Sequence, residues 1–298
     1  MSNIVTERFD RLRQERMIPA GRPATAVIGS IREVFAHRQL LDLLIRRDLK
    51  SRYKDSALGF AWTLIRPLVQ LAIYYFVLGK ILGASRNIPE FAVYVFAGLT
   101  LYGLFSEIVA AGTASIVSNG GLIKKIYLPR EIYPLASVGA ALFNFGVQLV
   151  VLLVATLLQS GLAWIRPDLL YFFPSTLVIL IWATALALLL AAANVYLRDM
   201  QYLVEVLVLL LMWASPIVYS WQQVANAAPQ WLLTLYTANP ITLAVLGFHR
   251  AFWTAGPDSE YPSHLLLRLV IAGVVGLIAL VLCQRVFAKL QGNFAQEI

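Results

Sequence analysis

Charged residues are scarce in this sequence of 298 residues, since Asp, Glu, Lys and Arg together make up only 13% of it. Average soluble domains contain about 25% charged residues. Hydrophobic residues make up 59% of the chain, which leaves too few polar side chains to cover a water-soluble globule. The composition excludes soluble, fibrous and disordered classes and predicts a protein whose main solvent is lipid.

Residues that build enzyme and metal sites are equally few. The single cysteine, Cys283, excludes a disulfide within the chain and any C-x-x-C metal site. The three histidines are too far apart in the sequence to suggest a metal cluster. The phosphate-binding pattern G-x-x-x-x-G-K-[ST] is absent, so any ATP hydrolysis that drives transport belongs to a different chain. We therefore predict no catalytic residue, no metal site and no cofactor in this chain.

The sequence instead contains six long apolar windows. About 20 apolar residues are enough to cross the roughly 30 Å hydrocarbon core as a helix. Lipid offers no hydrogen bonds to the backbone, which favours helices over strands with open edges. We predict an all-α integral membrane domain at 58–298 with six transmembrane helices, at 60–83, 91–118, 132–161, 169–197, 201–221 and 265–284.

The net charge of +8 is distributed unevenly along the chain. Lys and Arg are concentrated in residues 1–59, 119–131, 198–200 and 285–298, and they are sparse in the segments between. Because basic residues favour the cytoplasmic side of a membrane, both termini are predicted to be cytoplasmic. The positive charge is explained by topology and by contact with membrane lipids, so nucleic acid is not an expected partner.

Two segments precede the first window. Residues 1–30 are a charged, polar extension, and residues 31–57 predict an amphipathic helix. Leu41, Ile45, Leu49 and Tyr53 recur every four residues, with basic residues beside them. Such a helix is suited to lie along an anionic membrane surface. The alternative is a solvated helix that packs against other parts of the chain.

The longest external segment, 222–264, is too apolar for a solvated loop. Pro229 and Pro240 also interrupt it too often for a straight transmembrane helix. Irregular backbone at membrane depth is tolerated only against protein or a water-filled path. The segment therefore predicts short interfacial or re-entrant helices over the external end of the bundle.

Polar residues follow one face of the first window. Trp62, Arg66, Gln70 and Tyr74 recur every four residues. Because a charge that faces lipid is costly, we expect this face to point inward. The alternative is that Arg66 extends to the cytoplasmic headgroups. Glu107 and Glu205, in the second and fifth windows, either pair with a basic residue or lie near the interface.

Aromatic residues allow two interpretations. Tyr94 and Tyr102 share a face of the second window, and Trp213 and Tyr219 lie in the fifth. Most such residues form belts at the two membrane interfaces. The alternative is the wall of a channel, because aromatic rings let sugar units slide past without tight binding.

The segment 119–130 is short, basic and partly apolar, and it begins with Asn119 and two glycines. Leu122, Ile126 and Tyr127 predict one face of a short helix, which Pro129 would end. A short helix of this kind suits a groove on a partner protein. The alternative is a tight loop held by lipid headgroups.

Several segments together resemble the ABC-2 type permeases that export polysaccharides. The resemblance covers residues 38–298, and its motifs occur in the expected order. They are LGFAW at 58–62 with Pro67, SNGGLIKKIYLPREIYP at 118–134, NVYLRD at 194–199, SPIVY at 215–219, NP at 239–240 and NFA at 293–295.

The resemblance implies a homodimer of permeases around a central channel in the bacterial cytoplasmic membrane, with two copies of a separate ATPase subunit that binds ATP and Mg. The cargo would be a lipid-linked polysaccharide such as O-antigen or capsular polysaccharide. The residues expected to couple to the ATPase are Asn119, Leu122, Lys124, Lys125, Tyr127, Pro129, Arg130, Arg198 and Asp199. The channel candidates are Arg66, Gln70, Tyr74, Tyr94, Tyr102, Trp213 and Tyr219, and the gate candidates are Trp231, Asn239 and Pro240.

Two other functions are compatible with the sequence. An exporter of the same fold could carry teichoic acid, another lipid or a drug. An integral-membrane enzyme that acts on lipid-linked sugars would need carboxylates or histidines clustered at an interface, and the external segments contain few of either.

Overall fold

The computed structural model describes residues 27–53, 61–81, 83–86, 88–124 and 128–297. Within these residues the secondary structure is helical, with short 3₁₀ turns and no strand. The α-helices are α1 (Val27–Ala36), α2 (Arg38–Tyr53), α3 (Trp62–Ile73), α4 (Phe91–Ser118), α5 (Gly120–Ile123), α6 (Ile132–Ser160), α7 (Phe172–Tyr196), α8 (Met200–Trp213), α9 (Trp221–Ala227), α10 (Gln230–Ala238), α11 (Pro240–Phe252), α12 (Leu265–Leu290) and α13 (Phe294–Glu297).

Five of these helical stretches are long and apolar enough to cross a membrane. They are built on α3, which continues as a π-helix over Tyr74–Ile81, and on α4, α6, α7 and α12. The helices α10 and α11 meet at an angle of 80° and together form either a broken span or a re-entrant loop. The prediction of an all-α integral membrane protein is confirmed.

The fifth predicted window differs from the structure. A continuous helix over 201–221 was expected, but α8 ends at Trp213 after 14 residues. At a rise of 1.5 Å per residue, α8 is only about 21 Å long. Pro216 lacks a backbone N–H and disfavours a helical conformation at Ser215, so residues 214–220 continue without regular helix. The prediction of a full-length fifth helix is therefore wrong.

The helix α4 lies at the centre of the bundle, where it packs against α6, α7, α8 and α11. Its close approach to α7 depends on Gly112, because a Cβ atom at that position would lie 2.6 Å from Cβ of Ala187. Small residues at a crossing allow two helix backbones to approach closely in a membrane. On the far side of α7 lies α12, whose remaining surface carries many exposed aliphatic side chains.

The amphipathic helix α2 packs along α6. Leu44 is buried in an apolar cluster with residues of α4, α6 and α12, and the side chain of Ile45 fills the space beside Gly139. Leu41 and Ile45, from the predicted apolar stripe, also contact this cluster. The apolar side of α2 is therefore covered by protein, as in the alternative interpretation of the stripe.

The first span, built on α3, is mostly exposed and contributes little to the buried core. Only 6% of the α3 window is buried, compared with 78% of the α4 window. Exposed apolar side chains on α3 include Leu68, Val69 and Ile73, and α8 carries a similar exposed set. These two helices therefore present surfaces that the chain itself does not cover.

Candidate transport site

An open groove runs along α3. It is lined by Trp62, Ile65, Val69, Gln70, Ile73 and Tyr74. Gln70 is exposed and Tyr74 is half-buried, so the four-residue spacing brings Trp62, Gln70 and Tyr74 to one side of the helix. Arg66 belongs to α3, but its side chain lies outside the described residues. The groove provides aromatic and amide groups on a surface otherwise built from aliphatic side chains.

Tyr94 does not face an open surface. Its side chain is 2% exposed, and its hydroxyl donates hydrogen bonds to the carbonyl oxygens of Pro216, at 3.0 Å, and Tyr219, at 2.8 Å. Its ring stacks on His249, with 3.9 Å between the ring centroids. The polar and apolar groups of Tyr94 are therefore both used in packing within the chain, and its channel role stays a prediction.

Tyr102 is also buried, and its hydroxyl donates to the carbonyl oxygen of Val208 in α8. Tyr102 is therefore also used in packing within the chain, and its channel role likewise stays a prediction. Between these tyrosines, a Cβ atom at Gly98 would lie 2.9 Å from Nε2 of His249 and 3.0 Å from Cγ2 of Ile217. The face of α4 that the sequence predicted as a channel wall packs against α8, α11 and residues 214–220.

Trp213 and Tyr219 lie near the end of α8. Trp213 is exposed and Tyr219 is half-buried. The Tyr219 hydroxyl donates to the Trp213 carbonyl oxygen at 2.6 Å and lies 3.1 Å from the hydroxyl of Tyr236 in α10. These contacts connect the end of α8 to α10, and their channel role stays a prediction.

The bend between α10 and α11 is made by two of the predicted gate residues. The Asn239 side-chain oxygen accepts a hydrogen bond from the backbone N–H of Ile241, at 3.0 Å, and Pro240 occupies the first helical position. Both residue types favour the start of a helix, so a new helix begins at this point. The axis of α11 makes an angle of 80° with that of α10. Trp231 on α10 is 70% exposed.

The two arms of this bend are held very differently. In α11, Phe248 and Phe252 are fully buried against the core. In α10, Trp231 and Leu235 are exposed. At the end of α11 the indole nitrogen of Trp253 donates to the carbonyl oxygen of Pro89, at 2.7 Å. The arm α11 is therefore fixed to the bundle, while α10 lies on its surface.

A buried carboxylate anchors the helix before α10, and sequence reasoning missed it. Ser220 begins α9 with a capping box, in which its side chain and that of Gln223 bond to backbone N–H groups. Glu260 accepts hydrogen bonds from the Ser220 hydroxyl at 2.7 and 2.6 Å and from the Gln222 backbone N–H at 3.4 Å. The only sequence signal was the S-x-x-Q pattern at 220–223.

A group of charged residues at the same end of the bundle was also missed. Arg250 bonds Asp168 at 2.9 Å and Asp258 at 3.2 Å. Arg166 donates to the Trp253 carbonyl oxygen at 2.9 Å. These contacts join the loop between α6 and α7 to the end of α11. Among the described residues, no group of three His, Cys, Asp or Glu is suited to hold a metal ion.

The charged residues expected within the spans have separate surroundings. Glu107 of α4 accepts a hydrogen bond from the Asn144 side chain of α6, at 2.7 Å. Glu205 is exposed on α8. Glu107 therefore contributes to contact between two helices, and its pairing with a basic residue stays a prediction.

The opposite end of the bundle, here called the inner end, contains two connections between helices. Residues 119–124 and 128–131 belong to the connection between α4 and α6, here called the first turn. Residues 197–199, between α7 and α8, are here called the second turn. Asn119 ends α4, and its side chain donates to the Ser115 carbonyl oxygen at 2.8 Å. The guanidinium group of Arg47 in α2 donates to the Asn119 side-chain oxygen at 2.7 Å. The amphipathic helix and the first turn are therefore joined directly.

The remaining coupling candidates lie around this turn. The short helix α5 contains a half-buried Leu122, and Lys124 after it is exposed. Lys125, Ile126 and Tyr127 lie outside the described residues, so the helical face predicted for them is not described. Pro129 and Arg130 lead into α6. Arg198 and Asp199 are exposed between α7 and α8.

Comparison with known proteins is consistent with this architecture. A family described as ABC-2 type transporter matches residues 39–253. The O-antigen export system permease protein RfbA of Myxococcus xanthus is 28% identical over 273 residues, which cover 91% of this chain and 100% of that protein. RfbA of Klebsiella pneumoniae is 27% identical over 86% of this chain and 95% of its own length. The polysialic acid transport protein KpsM of Escherichia coli is 27% identical over 82 residues, or 28% of this chain and 32% of that protein.

Proposed function

Because the chain belongs to the ABC-2 type transporter family, we propose that it is the membrane-spanning permease of an ATP-driven exporter of a lipid-linked polysaccharide. The observation that carries this proposal is similarity over the full length of a named O-antigen export permease. The paired charges around Arg250 and the open aromatic groove are compatible with a transporter subunit. ATP and Mg would be bound by a separate nucleotide-binding chain.

The proposed assembly contains two permease chains and two ATPase chains in the bacterial cytoplasmic membrane, with both permease termini on the cytoplasmic side. The uncovered surfaces of α3 and α8 support contact between two copies. The groove with Gln70 and Tyr74, together with Trp213 and Tyr219, would then line the path between them. Tyr94 and Tyr102, which are buried, would stabilise the helices that surround this path.

The ATPase subunits are proposed to bind at the inner end, where the turns at 119–130 and 198–199 are found. Exposed basic groups such as Lys124 and Arg198 suit an acidic groove on a partner. Because Arg47 of α2 donates a hydrogen bond to Asn119, a displacement of this turn would also move α2. Closure of the ATPase pair would in this way tilt α4 and α6.

At the outer end, the mobile part of the gate is proposed to be α10. Since α11 is buried and bonded to Pro89 through Trp253, it serves as the fixed wall. A long polymer cannot be enclosed in a pocket, so the path must be continuous and must bind sugar units weakly. Exposed Trp231 on α10 is placed where such a path would open.

The first test is deletion of the gene, followed by localisation of the lipid-linked glycan of the cell. We expect full-length polymer to accumulate in the cytoplasm. Loss of polymer synthesis, with only short precursors present, would favour an enzyme, and normal surface polymer would favour another cargo.

Complementation then tests the docking surface. We expect Lys124→Glu to reduce both export and recovery of the ATPase subunit with the tagged permease. Lys289→Glu is the matched control, because Lys289 is an exposed lysine in the last turn of α12. Equal effects of the two substitutions would contradict the docking assignment.

A further inference from the structure

The short helix α13 carries a phenylalanine that is completely enclosed at the inner end. Phe294 is 0% exposed. Its ring packs edge-on against Phe287 of α12, with 5.4 Å between centroids, and against Tyr196 of α7, with 6.2 Å. A terminal helix of four residues gains little stability from its own hydrogen bonds, so its place depends on this aromatic anchor.

The same ring reaches the first turn. The guanidinium carbon of Arg130 lies 5.6 Å from the centroid of Phe294, within the range of a cation–π contact. One helical turn before Phe287 in α12, the side-chain amide of Gln284 donates to the buried Glu131 at 3.3 Å. Ile123 of α5 belongs to the same apolar cluster as Phe294. Phe294 and the end of α12 therefore contact the segment 119–131 at Arg130 and Glu131, and Phe294 shares an apolar cluster with Ile123.

The second turn is reached through Tyr196. The Tyr196 hydroxyl donates to the carbonyl oxygen of Leu290, the last residue of α12, at 3.0 Å. Tyr196 is two residues before Arg198, so its position determines where the turn at 197–199 begins. One aromatic ring thus contacts a residue of the first turn and a residue beside the second.

We propose that residues 290–294 are a positioning element that holds the two ATPase-facing turns in a fixed relation, with Phe294 as its anchor. This inference rests on the proposed function of those turns. If both turns are to move together when the ATPase closes, both must pack against the same part of the chain. Phe294 provides this shared contact, since Arg130 lies over its ring and the Tyr196 ring packs against it.

Removal of the Phe294 ring should therefore leave the ATPase bound. It should, however, make the coupling of ATPase closure to movement of the permease helices less efficient. Phe294→Ala leaves the exposed Lys124 and Arg198 in place and removes only the ring beneath Arg130, so recovery of the ATPase subunit should stay near that of the wild type. Polymer exported per ATP hydrolysed should fall about fivefold or more, as for the loss of about 1 kcal/mol of coupling. Phe294→Leu keeps the apolar contact but loses the ring over Arg130, so an intermediate fall is expected.

A distance measurement provides a readout that loss of stability alone would not change. Spin labels at Gly121→Cys and Leu197→Cys, in a Cys283→Ser background, report the separation of the two turns in the permease reconstituted in nanodiscs. Both label positions are exposed. The distance distribution should broaden with Phe294→Ala. It should not broaden with Phe105→Ala, which removes a fully buried phenylalanine from the other apolar cluster.

The outcomes separate the two proposals. If the wild-type permease recovers no ATPase subunit, the proposed function fails. If it recovers the subunit, and Phe294→Ala matches Phe105→Ala in both the distance distribution and the export ratio, the positioning role is overturned. Should Phe294→Ala fail to fold, Phe294→Leu decides, because unchanged distances and an unchanged ratio in that variant also overturn it.

Discussion

The hydroxyl of Tyr94 offers a direct test of whether the conspicuous tyrosines of α4 form packing or a channel wall. Tyr94→Phe removes one oxygen atom and keeps the ring that stacks on His249. The carbonyl oxygens of Pro216 and Tyr219 then lose their shared donor in a buried place. We expect the variant to be less stable than the wild type.

The size of the effect follows from the cost of buried unpaired groups. Loss of a hydrogen bond that leaves a buried acceptor without its partner costs about 1–3 kcal/mol. In a chain of this size, each kcal/mol lowers Tm by about 2–4 °C. Thermal unfolding of the detergent-solubilised protein, followed by size-exclusion chromatography, should therefore show a fall of roughly 2–12 °C.

The matched control is Tyr202→Phe on α8. Tyr202 is 71% exposed, so removal of its hydroxyl should change stability by no more than about 0.5 kcal/mol. A channel-wall tyrosine would behave differently from a packed one, because its loss would reduce export without a change in Tm. An unchanged Tm for Tyr94→Phe, together with reduced export, would refute the assignment of Tyr94 to the core.

Two further substitutions test the helix crossing at the centre of the bundle and the outer anchor. Gly112→Ala should lower stability by roughly 0.5–2 kcal/mol, since overpacking against Ala187 at about 1–3 kcal/mol exceeds the gain in helix propensity. Gly146→Ala, with no neighbour within 4 Å, should be neutral or stabilising in the same thermal assay, and an equal loss in both would contradict the close crossing. Glu260→Gln should raise hydrogen exchange at the start of α9 by about tenfold, because the charge-assisted bond from Ser220 is weakened. Unchanged exchange there would show that the carboxylate does not anchor α9.

The long spans could be predicted from the sequence because length and hydrophobicity decide them. The window 91–118 coincides with α4, and 132–161 differs from α6 by a single residue. The error at 201–221 arose because a running average of hydrophobicity ignores one proline. Pro216 lowers the average of a strongly apolar window only slightly, yet it prevents the backbone from continuing as a helix.

The candidate site was less predictable, because a face of small and aromatic residues has two uses. Tyr94, Gly98 and Tyr102 could line a path or fit closely against another helix, and only the positions of His249 and Ile217 distinguish the two. Contacts between residues far apart in sequence, such as that of Glu260 with Ser220, leave no local pattern. The bend at 239–240 was accessible because Asn and Pro determine it locally.

The nearly bare surface of α3 has a consequence for how two copies could separate. In water, an apolar surface of this size would hold a partner firmly, because exposing it again would cost free energy in proportion to its area. In a bilayer, lipid tails replace the partner at almost no hydrophobic cost, so attachment depends on close packing and a few polar groups such as Gln70. In the proposed dimer, two copies that meet along α3 would therefore separate to admit a polymer and close again afterwards, with lipid filling the space between them.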